Sequence, residues 1–134
     1  MSRLDHELKS NIVIIEDDIL VRQALGDCVE SAGYAAEGFG SAEEFLASGA
    51  TQTAACLIVD IQLPGITGLE LQGKLAGAGS HLPIVFVSAQ GTNANREKAM
   101  RLGASGFLSK PFRREDLLKI LGEAIGHSPW RPPT

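Results

Sequence analysis

Residues 56–65 read CLIVDIQLPG, and this stretch is the strongest indication of the fold in the sequence. Its first four residues are apolar and partly β-branched, which predicts a short strand buried on both faces, as in a parallel sheet. Asp60 follows at the carboxyl end of that strand, where open parallel sheets bind their ligands. The Pro-Gly pair behind it is typical of a loop. The stretch therefore predicts an α/β sheet that presents a carboxylate at its ligand-binding edge.

A second apolar run delivers acids in the same way. Residues 12–15 read IVII and precede Glu16, Asp17 and Asp18. Two such strands in one sheet would gather several negative charges, and each like-charge pair at about 4 Å costs roughly 4 kcal/mol at an effective dielectric of about 20. We therefore expect a cation, a proton or a lysine at this edge of the sheet.

Strand and helix patterns alternate along the rest of the chain. Helical periodicity and capping signals predict helices at 21–32, 41–46, 68–77, 95–102 and 116–125. Ser41 and Glu44 predict a capping box at the start of the second of these helices. Apolar runs predict further strands at 34–37, 83–87 and 106–109. Alternation of this kind predicts a doubly wound, five-stranded parallel sheet with five helices on its two faces. The domain is predicted to span 11–126, between an N-terminal extension (1–10) and a Pro-rich tail or linker stub (127–134).

Composition narrows the class of protein. A length of 134 residues fits one domain, and the net charge of −4 argues against direct nucleic-acid binding by this domain. No apolar run approaches the roughly 20 residues of a membrane span, and the polar N-terminus lacks the apolar segment of a signal peptide. Cys28 and Cys56 lack metal-like spacing and are predicted to be buried free thiols. We expect a cytoplasmic protein with no membrane partner.

Five polar side chains follow the carboxyl ends of predicted strands: Glu16, Asp17, Asp60, Ser88 and Lys110. Those ends form one rim in a doubly wound sheet, so the side chains should converge. The acids offer hard oxygen ligands, which suit Mg²⁺. Three acids, one Mg²⁺ and one lysine are together neutral, so the site would welcome a phosphoryl group. Asp60 could then act as the nucleophile, because carboxylates form aspartyl-phosphates.

In these residues and their spacing, the chain resembles a response-regulator receiver domain, the phospho-acceptor module of two-component signalling. The resemblance covers about residues 10–126 and implies a flavodoxin-like three-layer α/β sandwich. The motifs that carry it are IIEDD at 14–18, IVDIQLPG at 58–65 with Gly68 behind it, VSA at 87–89 and GASGFLSKPF at 103–112. Together, in this order and spacing, these motifs are highly specific.

The resemblance implies a phosphorylation site built on Asp60. This residue would accept a phosphoryl group from a sensor histidine kinase or a phosphotransfer protein in a Mg²⁺-dependent reaction. Glu16 and Asp17 would bind the metal together with Asp60 and the main-chain carbonyl of Gln62. Glu16 stands where the family more often has Asp, so the metal geometry is expected to differ slightly.

The resemblance also implies a conformational switch. Ser88, in place of the more frequent Thr, and Lys110 would contact the phosphoryl group, and Phe107 occupies the switch-aromatic position. Phosphorylation would shift the face made by the fourth helix, fifth strand and fifth helix. The domain would catalyse its own phosphotransfer and slow self-dephosphorylation rather than turn over a substrate. A phosphorylation-dependent homodimer is a further expected partner, although Gly106 stands where one DNA-binding subfamily uses an Asp in dimer salt bridges.

Two other classes of protein share the predicted sheet. A phosphatase of the haloacid-dehalogenase type needs a second acid two residues after its nucleophile, and Gln62 cannot serve as that acid. A flavodoxin-like electron carrier needs a phosphate-binding loop rich in Ser, Thr and Gly, whereas Glu16 and Asp17 would repel a flavin phosphate. A turnover assay on a phosphate ester and the colour of the purified protein discriminate these alternatives.

Several weaker patterns carry no function. Residues 68–74 match the spacing of a phosphate-binding loop, but Leu75 stands where that loop needs Ser or Thr. Gly38-Phe39-Gly40 begins a dinucleotide fingerprint that Glu43 breaks. The histidines are expected at the surface. The sequence does not indicate which process the domain regulates, because the chain fits both a stand-alone receiver and the front domain of a longer regulator.

Overall fold

The computed structural model describes residues 9–89 and 92–126. Within them the strands are β1 (Asn11–Ile15), β2 (Ala35–Phe39), β3 (Cys56–Asp60), β4 (Ile84–Ser88) and β5 (Gly106–Ser109). The helices are α1 (Ile19–Ser31), α2 (Ala42–Ser48), α3 (Gly68–Gly77), α4 (Asn93–Arg101) and α5 (Arg114–Gly126), with a 3-10 turn at Ala50–Gln52. The predicted extension at 1–10, apart from its last two residues, and the predicted tail at 127–134 lie outside the described residues, so these boundaries stay predictions.

The strands form one parallel sheet in the order β2-β1-β3-β4-β5, which confirms the doubly wound architecture. The strand order reverses beside β1, which pairs with both β2 and β3. The register pairs Ile15 with Val59, so Glu16 and Asp60 are the next residues on neighbouring strands. The crevice expected at such a reversal therefore opens between two acids.

Alternate residues of each strand feed two separate cores, one on each face of the sheet. One core takes Val13, Leu57 and Phe86 from the strands together with helix residues Phe45, Leu71 and Ala99, which belong to α2, α3 and α4. The other core takes Ile14, Ile58 and Val85 together with helix residues Leu25, Val29, Leu117 and Leu121, which belong to α1 and α5. Burial on both faces explains why β1, β3 and β4 are continuous apolar runs in the sequence.

Three helices begin two residues earlier than their apolar patterns predict. We expected α1 from residue 21, but it starts at Ile19, behind the Asp18 N-cap. We expected α4 from Asn95, but it starts at Asn93, because the Thr92 side chain accepts from the Asn95 main-chain nitrogen and caps the helix. Its residues are mostly polar and only Ala99 is buried, so periodicity gave a weak signal. We expected α5 from Asp116, but it starts two residues earlier at Arg114. Helix ends of this kind are set by local hydrogen bonds rather than by apolar spacing.

The hydrogen bonds correct one capping prediction and show a second capping box that was not predicted. The box predicted at Ser41 and Glu44 is half formed, since the Glu44 carboxylate accepts from the Gly40 nitrogen instead of the Ser41 nitrogen. A complete capping box, which the sequence reading missed, lies at Thr67 and Glu70 and starts α3. This box fixes α3 despite the glycines within that helix.

The thiol prediction is confirmed for one cysteine only. Both cysteines are free, but Cys56 is fully buried whereas Cys28 is half-buried. Cys28 lies on the α1 side that faces α5, where burial by the second helix is incomplete. The two thiols should therefore differ in chemical reactivity.

Candidate functional site

Three carboxylates meet at the carboxyl ends of β1 and β3. Glu16, Asp17 and Asp60 each offer an oxygen, and these oxygens lie within 4.8 Å of one another. Glu16 is 2% exposed and Asp60 is 7% exposed, while Asp17 faces solvent. A cluster with two buried acids and one open acid has the oxygen donors that a hard divalent cation needs and a side from which the cation can enter.

Lys110 bridges the two buried acids. Its Nζ lies 2.7 Å from Glu16 Oε1 and 3.1 Å from Asp60 Oδ2. Burial raises the pKa of Glu16, and the hydrogen bond from the lysine opposes this rise while the Asp60 charge adds to it. Burial disfavours the charged lysine, but its hydrogen bonds to Glu16 and Asp60 outweigh that effect and raise the pKa of Lys110. The lysine therefore stays charged and supplies the counter-charge that the sequence required.

The second oxygen of Asp60 is held by the loop that follows β3. The Gln62 main-chain nitrogen donates to Asp60 Oδ1 at 2.8 Å. The loop closes tightly, because a Cβ on Gly68 would lie 2.7 Å from the Asp60 carbonyl oxygen and 2.9 Å from Ile61 Cα. Only glycine lets α3 start this close to the strand end. Both oxygens of Asp60 are thus oriented by named donors.

Asp17 and Asp18 are adjacent in sequence but have different roles. Asp18 is the N-cap of α1, and its Oδ1 accepts from the Leu20 and Val21 nitrogens at 2.9 and 3.2 Å. Its own nitrogen donates to Glu16 Oε2 at 3.3 Å. Asp17 belongs to the acidic cluster and Asp18 closes the helix end. The N-cap signal was visible in the sequence, as an acid just before a helical pattern.

Ser88 and Lys110 are brought together at the ends of β4 and β5. The Lys110 main-chain nitrogen donates to the Ser88 carbonyl oxygen at 2.8 Å, and the Lys110-Pro111 peptide is cis. Ser88 is fully buried and follows Val87, the residue of β4 that pairs with Asp60 of β3. Phe107, one strand further, is 5% exposed and packs in the core on the α3 and α4 side. The structure thus brings every predicted site residue to this rim or directly beneath it.

Other groups that support the site were not singled out by the sequence reading. Arg22 donates to the Glu16 carbonyl oxygen. Glu43 on α2 accepts from the Ile66 nitrogen at 3.1 Å and so ties down the loop after Asp60. Neither residue lies at a strand end, so the strand-end pattern that predicts the site does not identify them.

The decoy patterns behave as expected where the structure describes them. Residues 68–74 form the first turns of α3 rather than a glycine-rich loop. His81 is exposed, whereas His6 and His127 lie outside the described residues. Among the described helices, none has the length and apolar character needed to cross a membrane.

The fold and this rim define a flavodoxin-like α/β domain with an acidic, lysine-bridged site at its switch point. The chain belongs to the response regulator receiver domain family, which matches residues 12–122. It is therefore a phosphorylation-dependent signalling switch of two-component systems, and receiver domains of this family take phosphoryl groups from histidine kinases.

Individual relatives agree with this assignment. The chain is 41% identical over 110 residues to nodulation protein W of Bradyrhizobium diazoefficiens, covering 82% of this chain and 48% of that protein. It is 39% identical to the response regulator protein TmoT of Ectopseudomonas mendocina, covering 92% and 56%. The chain thus spans about half the length of the curated relatives it matches.

Solved structures give the same result for the fold. The response regulator StyR superposes with a TM-score of 0.81 at 35% identity, covering 88% of this chain and 60% of that one. The structure named FixJ-N superposes with a TM-score of 0.81 at 26% identity, covering 90% and 96%. Receiver folds of this class confirm the predicted three-layer sandwich.

Proposed function

We propose that Asp60 is the phosphoryl acceptor of this receiver domain. The observation that carries the proposal is the Lys110 ammonium, which bridges Asp60 and Glu16 while the Gln62 nitrogen holds the other Asp60 oxygen. In the transfer, an Asp60 oxygen attacks phosphorus and the P–N bond of a phosphohistidine donor breaks as the P–O bond forms. The leaving imidazole nitrogen takes up a proton. Lys110 and the Ser88 hydroxyl then contact the phosphoryl oxygens.

We propose that Mg²⁺ binds through Glu16, Asp17, Asp60 and the main-chain carbonyl of Gln62. The fit rests on the donor set, since the three clustered carboxylates offer only hard oxygen atoms. When bound, Mg²⁺ would neutralise charge on the phosphoryl oxygens. The exposed position of Asp17 leaves the cation a path from solvent.

The domain would catalyse its own phosphotransfer, because lysine, hydroxyl and acids are already in place around the nucleophile. Self-dephosphorylation would be slow. The exposed Gln62 side chain follows Asp60 by two residues, and a neutral amide can orient water but cannot remove its proton. Gln90, which stands in the same relation to Ser88, lies outside the described residues, so its role stays a prediction.

We propose that Ser88 and Phe107 couple the site to the α4-β5-α5 face. Phosphate would draw the Ser88 hydroxyl towards Asp60 and favour the inward position of the Phe107 ring. Phe107 is 5% exposed, packs in the core and pairs with Phe86 on β4, the strand that ends at Ser88, which supports a coupling between the two residues. The helix best suited to respond is α4, because Ala99 is its one buried residue among those described.

The output face bears on the proposed partners. We propose a histidine kinase or phosphotransfer protein as phosphoryl donor, a cytoplasmic location and no direct nucleic-acid contact by this domain.

A phosphorylation-dependent homodimer would have to form without an acid at position 106. A Cβ on Gly106 would lie 2.5 Å from Ile120 Cγ2, so α5 occupies the space of a side chain there.

The metal assignment is tested by a pair of adjacent substitutions. Asp17→Asn should weaken Mg²⁺ binding, measured by calorimetry, and slow phosphorylation by acetyl phosphate. Asp18→Asn is the matched control, because Asn also caps helices well and the Asp18 side chain bonds to helix nitrogens. Equal Mg²⁺ affinity in wild type and Asp17→Asn would remove Asp17 from the site.

The switch is tested by amide chemical shifts on adding beryllofluoride, which mimics the phosphoryl group. Shifts should spread from the rim to α4, β5 and α5 in wild type and shrink there in Ser88→Ala. Shifts confined to the rim around Asp60 would count against the switch.

A further inference from the structure

Arg22, on α1, grips the main chain at the acidic rim. Its Nη1 donates to the Glu16 carbonyl oxygen at 2.7 Å. The Glu16 nitrogen donates to the Phe39 carbonyl oxygen at 3.0 Å, and the Glu16 carboxylate accepts from Lys110. Glu16 is therefore held at its nitrogen, its carbonyl and its side chain by three separate parts of the fold. A hydrogen bond from a charged donor at this distance is among the stronger ones in proteins.

Two glycines make room for the Arg22 side chain at the end of β2. A Cβ on Gly38 would lie 3.1 Å from both Cγ and Cδ of Arg22, and a Cβ on Gly40 would lie 3.3 Å from its Nη1. Both distances are tighter than ordinary contact, so the arginine lies flat against bare backbone here. The packing of Arg22 thus explains the glycines of the Gly38-Phe39-Gly40 run, which only resembles the start of a dinucleotide fingerprint.

We propose that Arg22 is a positioning residue for the metal site, and that it holds the turn of Glu16, Asp17 and Asp18 in its cation-binding geometry. The inference rests on the proposed function. Asp18 caps α1, and Arg22, in the first turn of the same helix, donates to the Glu16 carbonyl oxygen. The segment of Glu16, Asp17 and Asp18 is therefore hydrogen-bonded to the start of α1 at both of its ends. The guanidinium takes a main-chain oxygen, which leaves the carboxylates to Lys110 and the cation.

Partners of this kind orient the groups that bind the metal without touching the metal themselves. Their loss typically weakens metal affinity about 10- to 100-fold. We therefore expect Arg22→Met, which keeps the apolar stem and removes the guanidinium, to weaken Mg²⁺ binding about tenfold or more. Arg22→Lys, which keeps a charged donor on a similar stem, should recover part of that affinity.

The experiment is a calorimetric titration of the unphosphorylated full chain with MgCl₂, with the melting temperature in EDTA measured on the same samples. Gln23→Met is the matched control, because Gln23 is the exposed neighbour on the same helix. A positioning role predicts weaker Mg²⁺ binding in Arg22→Met than in the control at a similar melting temperature. A purely structural role would lower the melting temperature and leave the affinity of the folded protein unchanged, which overturns the proposal.

Gly38→Ala, which retains Arg22, keeps the test decisive if Arg22→Met fails to fold, and an unchanged Mg²⁺ affinity in that variant would overturn the proposal. Gly38→Ala should displace the Arg22 stem and weaken Mg²⁺ binding while removing no polar group. In an Arg22→Ala background the same change should have little further effect, since the stem that it displaces is gone. Equal effects of Gly38→Ala in both backgrounds would overturn the coupling. The titration of the wild type tests the proposed function separately. If the wild type binds no Mg²⁺, the proposed metal site is wrong. If the wild type binds Mg²⁺ and Arg22→Met binds it equally well, only the inference about Arg22 fails.

Discussion

The Lys110 ammonium lies 2.7 Å from Glu16 Oε1, closer than the 3.1 Å that separates it from Asp60 Oδ2. Asp60, the proposed acceptor, therefore shares its lysine with Glu16, which is more deeply buried. This sharing keeps the acids from repelling one another in the absence of a metal. It also means that a phosphoryl group on Asp60 must compete with Glu16 for the Lys110 ammonium.

Removal of that lysine should increase the dependence of the fold on Mg²⁺. In Lys110→Met the clustered acids lose their counter-charge, so a cation at the rim has more repulsion to relieve. We expect MgCl₂ to raise the melting temperature of Lys110→Met more than that of wild type, and phosphorylation of the variant by acetyl phosphate to slow. A smaller Mg²⁺-induced rise in the variant than in wild type would contradict this account of the lysine.

Gly68 should be intolerant of even one methyl group. In Gly68→Ala the new Cβ would press on the Asp60 carbonyl and Ile61 Cα, and we expect a loss of about 1–3 kcal/mol in the free energy of unfolding. Gly73→Ala on the same helix is the control, because its Cβ meets nothing within 4 Å and should stabilise the protein by roughly 0.5–1 kcal/mol. Urea unfolding of both variants measures the contrast, and a neutral Gly68→Ala would show that α3 can yield.

Gln72 on α3 has an unusual environment for a buried amide. It is 4% exposed and donates to the Ala99 carbonyl oxygen of α4 at 3.1 Å, but its Oε1 has no hydrogen-bond partner among the described residues. That carbonyl also accepts from the Ala104 nitrogen at 3.0 Å. An apolar residue of similar shape therefore removes an orphaned oxygen and leaves the carbonyl bonded.

The stability of two Gln72 variants follows from this arrangement. Gln72→Met should lie within about 1 kcal/mol of wild type or be more stable, whereas Gln72→Ala leaves a cavity and should cost about 2 kcal/mol or more. Urea unfolding ranks the two variants. If Met proves as damaging as Ala, the amide makes a contribution that its hydrogen bonds do not reveal.

The two thiols should differ in how they respond to pH. Burial raises the pKa of Cys56 to about 12 from a usual value of 9.0, and burial also raises the pKa of the half-buried Cys28, against the opposing effect of Arg114. In native Cys28→Ser protein, iodoacetamide at pH 8 should therefore leave Cys56 unmodified, while the unfolded protein reacts. Mass spectrometry follows the adduct, and rapid labelling of the native protein would contradict the burial of Cys56.

The same pKa has a consequence for stability. The folded state keeps the Cys56 proton between about pH 9 and 12, whereas the unfolded state releases it. The contribution of this thiol to stability is therefore fully present below about pH 9 and is lost as the pH rises towards 12. Cys56→Ala should flatten that part of the stability profile.

The acidic rim could be predicted from sequence because its residues follow buried strands. An apolar run ending in Asp60 fixes both the strand and the position of the carboxylate, and parallel topology then brings the ends together. Lys110 could be expected there for the same reason, although its preference for Glu16 could not. That pair is 94 residues apart, and its distance depends on how two loops close.

Other features had a weaker signal in the sequence or none. The bond from Arg22 to a main-chain carbonyl leaves no pattern in side-chain types, and the glycines beside it look like ordinary breaks. The start of α4 was missed because its polar sequence hides the helical period, so that the Thr92 cap defines it. The complete box at Thr67 and Glu70 was legible but lay before a helix weakened by glycines.

Chemical trapping shows directly whether Asp60 alone accepts the phosphoryl group. Protein treated with acetyl phosphate and MgCl₂ is examined by intact mass, and a second sample is reduced with borohydride, which converts an aspartyl-phosphate to homoserine. We predict one phosphoryl adduct, homoserine at position 60 in the digested peptide, and neither signal in Asp60→Asn. An Asp60→Asn protein labelled as fully as wild type, or homoserine at another acid, would contradict the account.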